Sequence, residues 1–77
     1  MPSFHITVLN EDFCSTNRHE CVDIDSALRM AIKGALEIGV DHLAQDKPFF
    51  GAEITVKDGS RRVGHYVVAL GVSPLKI

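Results

Sequence analysis

Four histidines and two cysteines are the side chains through which this 77-residue chain could do chemistry. His5 and His65 fall on outward positions of two alternating segments, and Glu53 and Thr55 share that parity on a third. If the first and last of those segments are neighbours, two imidazoles and a carboxylate converge, a set able to hold zinc or another borderline divalent ion. Metal sites more often announce themselves by close-spaced ligands. Solvent-facing histidines on strands are the plainer reading, and no metal is expected. Cys14, His19 and Cys21 form a Cys-x4-His-x-Cys cluster. It lacks the spacing of two to four between paired cysteines, and the clear fourth ligand, of a structural zinc site. A Cys–His nucleophilic pair drawn from it has no orienting third group. Both cysteines are expected as free thiols. Gly34 and Gly39 lie inside a helix-forming run rather than at its amino end, so they cannot cradle a phosphate and read as packing positions. No catalytic residue, cofactor or enzymatic activity is expected.

The elements that must carry these residues follow from periodicity. Residues 3–9 alternate, with Phe4, Ile6 and Val8 on one side, as in a half-buried strand. Residues 13–19, polar around Ser15-Thr16-Asn17, read as a loop leading into a short second strand at roughly residues 20–22. Over residues 23–43 apolar positions recur at Ile24, Ala27, Leu28, Ala31, Ile32, Ala35, Leu36 and Ile38, the stripe of an amphipathic helix. Asp23 is its expected cap, with Asp25 adding charge at the positive end of the dipole. Burial of six or seven aliphatic side chains is expected to hold the helix down, at about 1.5–3 kcal/mol per large side chain. Residues 52–57 and 62–70 are the last two strands, joined at Asp58-Gly59-Ser60 by a hairpin. Their inner face is expected to set Ala52, Ile54 and Val56 opposite Tyr66, Val68 and Leu70. The fold class is α+β: two layers, an antiparallel sheet of three to four strands in β-β-α-β-β order, with one long helix on one face. Residues 1–77 form one small domain, and residues 71–77 are expected as a loosely attached tail.

Composition narrows the function classes. Apolar residues make up 45% and charged ones 23%, a globular balance. The formal charge is −2, and the local basic cluster, Arg61-Arg62, reads as the solvated shoulder of the hairpin. Nucleic-acid binders usually carry a basic stripe, so nucleic acid is not the expected partner. No apolar run approaches the roughly 20 residues that span a bilayer, so no membrane role is expected. Met1-Pro2-Ser3-Phe4 does not read as a signal peptide, and the cytoplasm is the expected compartment.

Several of these features resemble a family of short bacterial proteins, common in alphaproteobacteria, catalogued as a domain of unknown function. The likeness is carried by Met1-Pro2-Ser3-Phe4-His5-Ile6, by Asp23-Ile24 with Ala27 and Ala31, and by Pro48-Phe49-Phe50-Gly51, Ile54-Thr55-Val56 and Asp58-Gly59. The chain departs from it around residues 17–20, where an acidic-glycine pair is usual, and at Met30. The resemblance implies a small sheet-plus-helix fold and brings no catalytic residues.

Phe49-Phe50 can bury one ring against the helix end and leave the other near the surface. Val63 and Val67, on the expected outer face of the last strand, add more apolar surface than one helix covers. Phe49, Phe50, Val63, His65 and Val67 are therefore the candidate interface. The expected function is a cytosolic, non-enzymatic interaction or accessory protein acting as a homodimer, with an unidentified protein partner allowed. The alternative is an antitoxin-like or regulatory module binding a partner protein or nucleic acid, on fold-level analogy alone.

Overall fold

The computed structural model describes residues 1–75. Its elements are β1 (Ser3–Leu9), β2 (Cys14–Glu20), α1 (Ile24–Ala44), β3 (Phe49–Asp58) and β4 (Arg61–Gly71). All strand pairs are antiparallel in one open sheet of order β2-β1-β3-β4. One helix rests on one face of it, the expected α+β arrangement. No helix among the described residues is long and apolar enough to cross a membrane.

Alternation places Phe4, Ile6 and Val8 of β1 and Phe50, Ala52, Ile54 and Val56 of β3 under the helix, all buried. The inner face of the hairpin is the expected one, but its register is offset by two residues: Phe50 pairs with Leu70, Ala52 with Val68 and Ile54 with Tyr66, while Gly64 stands opposite Val56. The connection is the two-residue loop Gly59-Ser60, with positive φ only at Gly59, the glycine position of a type II′ turn.

Asp23 caps α1, its side chain accepting from the backbone N–H of Ser26 at 2.8 Å. That bond holds the Asp23 carboxyl below the ordinary value of 3.8. The helix runs unbroken through both glycines. Its buried residues are Ala27, Ala31, Ala35 and Gly39, a row at four-residue intervals. Of the expected stripe, Ile24, Leu28, Ile32 and Ile38 pack half-buried against the core beside these small residues, and Leu36 falls outside it at 37% exposed. Small side chains let the helix approach the sheet closely. At Gly39 an added Cβ would lie 2.6 Å from Leu70 Cδ1 and 2.7 Å from Phe50 Cδ2.

The second strand is also corrected, from residues 20–22 to Cys14–Glu20. The helix is centred over β3 and β4 and its edge covers β1, so β2 beyond it has no covered face and no reason to alternate. Its backbone ladder to β1 and a Thr7–Thr16 hydroxyl hydrogen bond of 2.9 Å hold it instead. Val63 moves as well. A register shift after Val56 pairs Lys57 with Arg62 and leaves Val63 as the extra residue, half-buried against the core rather than on the outer face. Residues 72–75 carry no regular structure and are exposed; the last two residues of the expected tail lie outside the described residues.

Candidate functional site

With α1 on one side only, the other face of the sheet is bare, and the strand register sorts its side chains into rows. The first row crosses all four strands as Arg18, His5, Lys57 and Arg62, each opposite the next, and all four side chains are exposed. The second row is Thr16, Thr7, Thr55 and His65. The third is Cys14, Leu9, Glu53 and Val67. Beyond it, Gly51 pairs with Ala69 and Phe49 with Gly71. The Phe49 ring lies across Gly51, its Cε2 3.0 Å from where a Cβ would stand. The face thus grades from cationic, through hydroxyl-bearing, to apolar, where Leu9 is 46%, Phe49 64% and Val67 77% exposed.

Of the residues expected at an interface, Phe49, His65 and Val67 share this face. Phe50 does not: it is 1% exposed and lies in the core, where the His42 ring packs edge-on against it at 5.1 Å. On its other side His42 meets Phe13 at 6.2 Å, so these rings plug the carboxyl end of the helix. Val63 is held at the bulge against the core.

His65 and Glu53 do meet. His65 Nε2–H donates to Glu53 Oε1 at 2.5 Å, a diagonal contact between β4 and β3 with both side chains half exposed. His5 is not part of it. β3 separates β1 from β4, and His5 stands opposite Lys57, in a different row from His65. No three His, Cys, Asp or Glu residues among the described ones are grouped to hold a metal ion. The Cys14–His19–Cys21 cluster also comes apart. Cys14 begins β2 on the open face, His19 takes the opposite parity beside Phe4, and Cys21 is buried beyond the strand. Both thiols are free. Seven residues of extended chain at about 3.3 Å each set them roughly 23 Å apart.

What this face can do is bind. Three cations and an imidazole in a line provide charge-assisted donors for carboxylate or phosphate oxygens. The neighbouring threonine hydroxyls can donate or accept, and the apolar end supplies desolvated contact area. The basic row is the part that periodicity missed. Arg18, His5 and Lys57 each sit alone in their segments, Arg62 reads as a hairpin shoulder with Arg61, and only the strand order brings the four into line. Compared with protein-family models, with curated proteins and with solved structures, the chain matches none.

Proposed function

We propose that this protein is a non-enzymatic interaction or accessory module of the cytosol, that it self-associates, and that its open sheet face docks a protein partner presenting an acidic segment. The observation that carries the reading is the alignment of Arg18, His5, Lys57 and Arg62 beside the exposed apolar end at Phe49 and Val67. A ligand that matches both parts offers carboxylates at one end and an apolar anchor at the other, which is the chemistry of a polypeptide. The resemblance to the short alphaproteobacterial family belongs to the same proposal, and it supports a compact sheet-plus-helix module with no catalytic residues.

A second reading, single-stranded nucleic acid on the same face, is favoured by the basic row itself. The net charge of −2 and the lack of aromatic rings in the middle of the face weigh against it. Two measurements test the proposal. Sedimentation equilibrium should give a mass approaching twice the 8.4 kDa chain at tens of micromolar. A chain mass persisting at high micromolar concentration would remove self-association. Fluorescence anisotropy with a labelled Glu-rich peptide carrying a leucine anchor should show saturable binding, weakened about tenfold or more in a K57E/R62E variant. Tighter binding of a labelled oligonucleotide than of the peptide would transfer the site to the second reading.

A further inference from the structure

The back of α1, turned away from the sheet, carries two adjacent rows at four-residue spacing. One is an apolar ridge that starts at Ile32, half-buried at the edge of the core, and continues through Leu36, 37% exposed, and Val40, 59% exposed. The other is Arg29, Lys33, Glu37 and Asp41, all exposed, two cations followed by two anions. Together they form one continuous open strip along the helix. None of the four charges is in an ion pair among the described residues.

The order of these charges is the wrong one for a solitary helix. The dipole favours acids near the amino end and bases near the carboxyl end, and a Glu–Lys pair at i,i+4 is better with the Glu first. Here both cations come first, and Asp41 falls in the last turn but one. A partner running the other way resolves the conflict. Set antiparallel, Arg29 meets Asp41 of the partner subunit and Lys33 meets Glu37 of the partner subunit. Both pairs centre on residue 35. The apolar ridge is symmetric about almost the same point, with Leu36 against the partner's Leu36 and Ile32 against the partner's Val40. One two-fold axis between Ala35 and Leu36 serves every contact, as an isologous interface requires. Four-residue ridges of this kind pack into one another's grooves at a crossing of about 50°.

We propose that a second copy of this chain docks on the back of α1, joining two molecules helix to helix with both sheets outward. This rests on the self-association proposed above and names its surface, which leaves the open sheet face free for another partner. The shape of one copy agrees. Its radius of gyration is 14.1 Å, against about 11.5 Å for a compact globule of this length. Its extents are 52 × 21 × 17 Å, an elongated body only two layers thick. Pairing the helices sets two elongated bodies into a four-layer block with an internal helical seam.

Charge reversal with rescue tests the proposal. Lys33 and Glu37 are exposed, so K33E and E37K should fold as the wild type does, verified by circular dichroism. In sedimentation equilibrium each single variant should raise the dimer dissociation constant about tenfold or more, because each creates two like-charge encounters across the axis. The double variant K33E/E37K restores opposite charges and should return to within about threefold of the wild type. L36E should remain a monomer, while V67E on the open sheet face should dimerise normally. A dimer that ignores K33E and L36E overturns this contact while leaving self-association in place. A wild type that stays monomeric overturns both.

Discussion

Single side chains decide how closely the helix meets the sheet, and the two helical glycines make opposite predictions. Gly39 lies where a methyl group would collide with Leu70 and Phe50. Gly39→Ala should therefore destabilise the fold by about 1–3 kcal/mol through overpacking. At Gly34 nothing lies within 4 Å of an added Cβ, since that side of α1 looks over the uncovered strand β2. Gly34→Ala should stabilise by about 0.5–1 kcal/mol through helix propensity. Urea unfolding of the two variants reads both signs in one experiment. Asp23 makes a pH prediction. Its carboxyl is held below the ordinary value of 3.8, chiefly by the backbone N–H of Ser26. A depressed folded-state value means the cap's stabilisation is fully present above the unfolded value and is lost as pH falls through the lowered one. Thermal melts should show D23A below the wild type at neutral pH, with the gap closing in acid. A gap that persists below pH 2 would assign Asp23 a different role.

Among the elements, α1, β3 and β4 were legible because their burial is periodic. Alternating Ala52, Ile54 and Val56 predicted a strand and the face it shares with Tyr66, Val68 and Leu70, though Phe50 and not Ala52 pairs with Leu70. Asp23 announced the helix start. β2 was not legible: Cys14–Glu20 is polar on both faces because no layer covers it, and its pairing is written in backbone hydrogen bonds that any sequence can make. The basic row inherits that blindness, since Arg18 sat in what reads as a loop and the order β2-β1-β3-β4 is a property of the whole sheet. The helix stripe was visible, yet which of its rows faces the sheet was not. Close approach selects the alanines and pushes Leu36 and Val40 outward. The helix also ends on a residue under strain. Asp46 has φ of 64°, the left-handed region that an L side chain enters at a cost. Asp46→Gly should stabilise by about 0.5–1 kcal/mol, read as a higher urea midpoint with an unchanged slope.

At the scale of the whole molecule, the proposed helix seam has a salt signature. Four charge pairs at a solvent-accessible rim are screened over about 8 Å at physiological ionic strength. The dimer should accordingly weaken as sodium chloride rises from 0.05 to 0.5 M, a trend that sedimentation equilibrium follows directly. A seam held by the apolar ridge alone would be indifferent to salt or tighten with it. The two flanks of the sheet are unlike. β2 bears Arg18 and Glu20, with a 3.8 Å ion pair between them, whereas residues 63–71 of β4 contain neither lysine nor proline and run through Tyr66-Val67-Val68-Ala69-Leu70. Unpaired backbone along such a flank is a template for other strands. In concentrated or aged solutions, that border is therefore where fibre seeding is expected to start.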